Sequence, residues 1–187
     1  AKISADLEKQ LLNDSDKKLR RDISDKLIDK LELQLPDEFL KKWLLFNGAN
    51  AEKPITQADI DREYADYRRY MQLQIIESNI AKTNDIKVEF PEIQERVKAN
   101  IKTQFASFGQ QEIDDKMLDQ FAQNFLQKEE EVRKVYDQLL DEKLMAFYKG
   151  NVKLQEKEVS FDEFVKLASA KQGKGNFLDQ VSNLLKF

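Results

Sequence analysis

The stretch LELQLPDEFLKKW (Leu31–Trp43) closes one helical pattern, crosses an apolar alternation at Leu31, Leu33 and Leu35, and restarts at Pro-Asp-Glu. Pro36 suits a first helical position, and Asp37 and Glu38 suit the positive end of a helix dipole. The same grammar returns at NDIKVEFPEIQERV (Asn84–Val97) and, without the proline, at GNVKLQEKEVSFDEFV (Gly150–Val165). A chain with three such joints between helical runs reads as all-α.

Before the first joint, Ile3, Leu7, Leu11, Leu19, Ile23, Leu27 and Leu31 form an i+4 series with Ser15 in the gap. Such a stripe winds by about 40° per step around a 3.6-residue helix. It predicts either one long helix with a drifting contact face or a break at NDSD (Asn13–Asp16), where Asp14 or Ser15 caps a restart. After the joint comes a short helix from Asp37 to about Phe46, stopped by Gly48 as a left-handed terminator. Thr56 and Asp59 then make a capping box for a helix whose face is Ile60, Tyr64, Tyr67, Met71, Ile75 and Ile80. The result is a first helical hairpin with its tip near residues 46–54. The second joint opens a stripe of Ile93, Val97, Ile101, Phe105 and Phe108 that stops at Gly109. From about Ile113 to Lys149 a long helical pattern carries Met117, Phe121, Phe125, Val132, Val135, Leu139 and Met145, and makes a second hairpin. The run QKEEEVRK (Gln127–Lys134) within it reads as a solvated face or a turn. At the third joint Gly150 is a terminating glycine, and Ser160 with Glu163 makes a capping box for a helix bearing Phe161, Phe164 and Val165. KQGKGN (Lys171–Asn176) reads as a connector without phosphate-loop spacing. The final FLDQVSNLLKF reads as a docked terminal helix, with a partner-binding tail as the sharper alternative.

Composition removes whole classes of function. Charged residues make up 35% of the 187 and hydrophobic ones 41%, with only five Gly and three Pro, a profile of long solvated helices. The net charge of −4 comes from interspersed signs, so no basic stripe is available for a phosphate backbone and nucleic acid is not an expected partner. There is no Cys and no His, which removes disulfides, thiolate chemistry, zinc sites and histidine triads. No cofactor and no metal are expected. No apolar run approaches the roughly 20 residues of a membrane helix, so no membrane partner is expected either. The chain opens at Ala1 with neither methionine nor signal-like stretch, and reads as a segment of a longer protein.

Carboxylate groups such as Asp114/Asp115 and Glu129/Glu130/Glu131 are the remaining acid–base candidates, and nothing in their spacing implies the burial that catalysis requires. DKKLRRD (Asp16–Asp22) reads as an i,i+4 ion-pair face. What stands out is aromatic surplus on short elements: Phe39, Trp43 and Phe46 near the first tip, Phe105, Phe108 and Phe121 near the second. A two-helix hairpin cannot bury all the apolar residues of both helices, so surplus surface must meet the body, a second copy or another chain.

The segments RRDISDKLIDKLELQLPDEFLKKWL, YMQLQIIESNIAKTNDIKVEFPEIQERVKANIKTQF and EEVRKVYDQLLDEKLMAFYKGNVKLQEKEVSFDEF together resemble the C-terminal chaperone domain of bacterial trigger factor, in order and spacing. The resemblance implies an elongated all-helical body with two protruding arms, related in architecture to the periplasmic SurA-type chaperones. On it, residues 1–35 and 150–187 are body, 36–85 the first arm and 86–149 the second. It also implies a cytoplasmic, ATP-independent chaperone domain that holds unfolded or nascent polypeptides in an apolar-lined cradle. The client contacts it implies are Phe39, Trp43, Phe46, Tyr67, Phe105, Phe108, Met117 and Phe121. Neither the G-F-R-x-G-K ribosome-docking loop nor the β-rich, Gly-containing pattern of the isomerase domain is present in this sequence. Ribosome binding and prolyl isomerisation are therefore expected of other domains of the parent, and no enzymatic activity of this segment. A helical scaffold or dimerisation module, pairing as a homodimer, is the competing reading.

Overall fold

Glu32 shows why the first helix stops where it does. Its φ of 43° is left-handed, and its N–H closes on the Ile28 carbonyl at 3.1 Å, the single-bond cap that ends many helices. The computed structural model describes residues 2–50, 53–108, 113–169, 177 and 181, and among these the regular structure is entirely helical, in seven helices. The first, α1, runs from Lys2 to Leu31 without interruption. Asp14 caps nothing and pairs instead with Lys17 at 3.1 Å. The winding of the i+4 stripe appears as a drifting face, with Ile23, Ser24 and Ile28 buried and Leu31 exposed.

The extended stretch after α1 leaves backbone carbonyls without helical partners, and a buried carbonyl needs one. Helix α3 (Gln57–Thr83) supplies it. Gln72 Nε2 donates to the Leu33 carbonyl at 2.7 Å, while one turn and two turns earlier Arg68 Nε and the Tyr64 hydroxyl donate to Asp37 Oδ1 at 3.1 and 2.7 Å. Residues 64, 68 and 72 share one helical face at i+4 spacing, so a single stripe of donors fixes the joint. Asp37 opens α2 (Asp37–Gly48), with Pro36 as the N-cap rather than the first helical residue.

The Tyr64 hydrogen bond first, and Arg68 after it, hold the Asp37 carboxyl below its ordinary value of 3.8. A depressed folded-state pKa gives stability that is complete above the unfolded value and lost as pH falls through the folded one. Asp37→Asn is accordingly expected to be less stable than the parent by a constant margin at neutral pH. That margin should shrink below about pH 4, as read by denaturant midpoints across a pH series. A margin independent of pH would show that the carboxylate charge plays no part.

Gly48 differs in role from the expectation. The residue after it, Ala49, is right-handed helical, so no left-handed turn requires the glycine. What does is close approach: a Cβ at Gly48 would lie 2.7 Å from the Cβ of Ile55. Ile55 thereby reaches the core formed with Leu44, Ile60, Tyr64 and Tyr67. The capping box of α3 is as read from sequence, with Thr56 N–H donating to Asp59 Oδ2 at 3.0 Å and Asp59 N–H to Thr56 Oγ1 at 3.3 Å. Past Met71 the buried face rotates, so that Gln72 and Ile76 are buried and Ile75 is exposed.

The second joint repeats the physics of the first with different residues. Asp85, at φ 55°, ends α3, and Ile86 N–H returns to the Ala81 carbonyl at 2.9 Å, the long bond of a Schellman cap. Glu89 and Glu92 form a reciprocal capping box for α4 (Phe90–Ser107). A lysine from α6 (Glu129–Asn151) then reaches across: Lys143 Nζ donates to the Lys87 carbonyl and, at 2.8 Å, to Glu92 Oε2. Arg96 and Glu142 add a two-pronged pair at 2.7 and 2.6 Å. The long helical pattern from about 113 to 149 is in fact two helices, α5 (Asp115–Leu126) and α6. They part at Gln127 and Lys128, which puts Glu129, Glu130 and Glu131 in the first turn of α6, where the helix dipole favours them. The expected second hairpin is therefore a three-helix cluster, its core made by Ile93, Val97, Ala122, Val135 and Leu139.

The third joint differs from both. Gly150 lies inside α6, which ends at Asn151, and residues 151–158 are all exposed, so water can satisfy their backbone. Ser160 Oγ accepts from Glu163 N–H at 3.3 Å to start α7 (Phe161–Ser169), and the Glu163 carboxylate goes to Lys157 at 3.1 Å. KQGKGN lies outside the described residues. Of the final segment, Phe177 and Val181 are helical and buried in the core with Leu44 and Tyr67, which bears out the docked reading at those two positions. The chain divides into two compact units, Ala1–Ser78 with Glu156–Phe187, and Asn79–Gln155. Residues 36–78 thus share a unit with residues 1–35 and most of 150–187, while 86–149 fall wholly in the other.

Candidate functional site

The C-terminal half of α4 and the C-terminal half of α5 carry the same spacing. Ile101, Gln104, Phe105 and Phe108 stand at i, i+3, i+4 and i+7, and so do Phe121, Asn124, Phe125 and Lys128. That spacing places Ile101, Gln104 and Phe105 on one stripe of α4, with Phe108 as its cap, and Phe121, Asn124 and Phe125 on one stripe of α5, with Lys128 just past its end. Deeper in the cluster the stripe of α4 is closed, with Ile93 and Val97 buried; toward its end Phe105 is half-buried and Phe108 is 78% exposed. The two sets together line an open cleft of about 580 Å³. Phe105 and Phe121 meet across it, ring centroids 5.5 Å apart and tilted by 48°, an arrangement favoured by the charge distribution of aromatic rings. Lys98 of α4 and Asp119 of α5 pair at 2.6 Å, and this hydrogen bond raises the lysine above its ordinary pKa.

The chemistry of the cleft is apolar with polar punctuation. Four phenylalanines and one isoleucine form its walls, and Gln104, Asn124 and Lys128 are the polar lining. Among the described residues that line it there is no carboxylate. Among the described residues no group of acidic, His or Cys side chains is placed to hold a metal ion, and no helix is long and apolar enough to cross a membrane.

The sequence-derived contacts fall into three sets. Phe105, Phe108 and Phe121 come together in the cleft, and Met117 is exposed one turn before Phe121 on the same α5 stripe. Phe39 and Phe46 are exposed on α2, 63% and 81% accessible, with Trp43 between them half-buried against the first unit's core. Tyr67 is fully buried in that core; its side chain offers no surface to another chain, and it leaves the set of candidate contacts. Its helical period with Ile60 and Tyr64 fits a core face equally well. Sequence reasoning did not single out Ile101, Gln104, Asn124, Phe125 and Lys128 as contacts. The repeated i, i+3, i+4, i+7 pattern could have found them. Of the two readings of QKEEEVRK, a solvated face or a turn, the structure bears out the turn, at Gln127 and Lys128.

The regular structure of the described residues is helical with open apolar surface, and the family to which the chain is matched makes it a chaperone-related domain. Residues 15–168 match the family described as "Probable trigger factor, C-terminal domain". The chain belongs to that family, and the matched domain is not the family's isomerase domain. No curated protein and no solved structure matches the chain.

Proposed function

We propose that this domain holds unfolded or nascent polypeptides, without ATP, through several weak apolar patches of which the α4–α5 cleft is the principal one. The observation that carries the reading is the open cleft walled by Phe105, Phe108, Phe121 and Phe125. The exposed α2 stripe of Phe39 and Phe46, flanked by Trp43, is a second patch. Magnitudes favour weak holding. Full burial of one such side chain contributes roughly 1.5–3 kcal/mol, and these rings are already part-covered, whereas micromolar binding needs about 8 kcal/mol net of association costs. One patch is insufficient and several suffice, so clients leave by stepwise release of contacts and no nucleotide is needed. Charged side chains around the patches oppose self-association. The setting is the cytoplasm, and ribosome docking and prolyl isomerisation belong to other parts of the longer protein.

Replacing Phe105, Phe108 and Phe121 together by Ser is expected to abolish most of the suppression of an unfolded client's aggregation while far-ultraviolet circular dichroism stays unchanged. Undiminished suppression would sink the cleft as the principal site. Lost helicity would show that these rings are core.

A further inference from the structure

The three joints differ in what their backbones meet. At the first, the Leu33 carbonyl accepts from Gln72, and at the second the Lys87 carbonyl accepts from Lys143. At the third, the Val152 N–H still returns to the Tyr148 carbonyl at 2.8 Å, and Ser160 opens α7. Between them, from Lys153 to Val159, no backbone N–H or C=O is hydrogen-bonded to a described residue. This stretch contains neither turn nor bend and is exposed except at Val159, which is half-buried. It leaves α6 through an extended Val152, at φ −103° and ψ 136°.

A peptidase takes its substrate as a strand and hydrogen-bonds the substrate's main chain. Helical residues have those groups committed internally, so cleavage within a helix waits on local unfolding. Lys153–Val159 already presents an open main chain in the folded protein, and it carries basic and acidic side chains in Lys153, Glu156, Lys157 and Glu158. We infer that this stretch is a processing site, cut in the folded protein by endopeptidases that cleave after basic residues, at Lys153 or Lys157, and by those that cleave after acidic residues, at Glu156 or Glu158. Water is the co-reactant. The peptide C–N bond breaks, the acyl carbon takes water's oxygen and becomes a carboxylate, and the nitrogen takes both protons and becomes an ammonium group.

The cut does not release the C-terminal piece. Phe177 and Val181 are buried in one core with Leu44, Ile55 and Tyr67, and α7 packs against α1, so buried apolar surface holds the piece once the covalent link is gone. The chain passes between its two compact units at Ser78–Asn79, inside α3, and again at Gln155–Glu156. Cleavage leaves α3 as the remaining covalent connection.

The test is limited proteolysis of the full chain, with trypsin and separately with a glutamate-specific endopeptidase, followed in time by intact mass. Cuts between Lys153 and Val159 are expected to be at least about tenfold faster than tryptic cuts after Lys87 or Lys128 and glutamate-specific cuts after Glu32 or Glu89, since those positions lie at helix ends or pinned joints. Lys153→Gln with Lys157→Gln, both exposed positions, is expected to lose the tryptic cut here and to keep the glutamate-specific one. The glutamate-specific product should elute from a size-exclusion column as one species holding both fragments, and as two species in urea. Cleavage at Lys87, Lys128, Glu32 or Glu89 as fast as within Lys153–Val159 would overturn the processing site. Fragments that separate in native buffer would overturn the retention of the C-terminal piece.

Discussion

Phe177→Ala is expected to destabilise the first unit by about 3–5 kcal/mol, the usual cost of truncating a buried aromatic ring. Phe177 is 6% exposed and packs with Val181, Leu44, Ile55, Ile60, Tyr64 and Tyr67 in one cluster. The family match ends at residue 168, so two residues beyond it complete the core of a unit whose other members lie within it. Ring removal leaves a cavity between elements already fixed by the Tyr64–Asp37 hydrogen bond and the Gln72–Leu33 hydrogen bond, so collapse around it is limited. Urea unfolding followed by circular dichroism measures the loss. The same variant separates the two readings of the final segment. A client-binding tail predicts weaker holding at unchanged stability, whereas a docked helix predicts lower stability with client binding by the folded protein retained. A shift under about 1 kcal/mol, in the range of a surface substitution, would place Phe177 outside the core.

Tyr67 is expected to respond in opposite ways to two substitutions. Its ring is fully buried, centroid 6.0 Å from that of Tyr64, and Tyr67→Ala is expected to cost about 3–5 kcal/mol through lost burial and a residual cavity. Its hydroxyl is buried with no hydrogen-bond partner among the described residues, and desolvation, followed by the charge of Tyr70, raises its pKa. A buried unpaired hydroxyl opposes folding by its lost hydration. Tyr67→Phe is therefore expected to be neutral or to stabilise by up to about 1 kcal/mol. Thermal unfolding of the pair decides it. A marked loss for Tyr67→Phe would mean that the hydroxyl has a partner, and a small loss for Tyr67→Ala would return Tyr67 to the surface.

The cleft and the core draw on one composition, and burial alone separates them. Phe105 and Phe177 are the same residue type; one lines an open cleft and the other fills a closed core. Ile75 and Ile76 are neighbours in sequence with opposite fates, because the buried face of α3 rotates past Met71. Aromatic surplus on α2, α4 and α5 was legible, whereas Tyr67, read as a contact, is core, and Ile101 and Phe125 of the cleft were not singled out as contacts. Which residues share a cleft was not legible, since that depends on where α5 ends.

By itself the sequence determined the helical class, the three joints, the Thr56–Asp59 capping box and the Ser160 cap of α7, and the absence of histidine or thiol chemistry. These are local or compositional properties, set within a few residues by spacing, capping and side-chain type. Only the tertiary structure decided that Gly48 serves the approach of Ile55 and not a left-handed turn, and that Tyr64, Arg68 and Gln72 fix the first joint. It alone showed that Lys143 reaches the second joint and that Phe177 completes the core. Apart from the Gly48–Ile55 approach, each of these joins residues far apart in the chain, and nothing in the local pattern encodes which distant carbonyl or ring a side chain will meet.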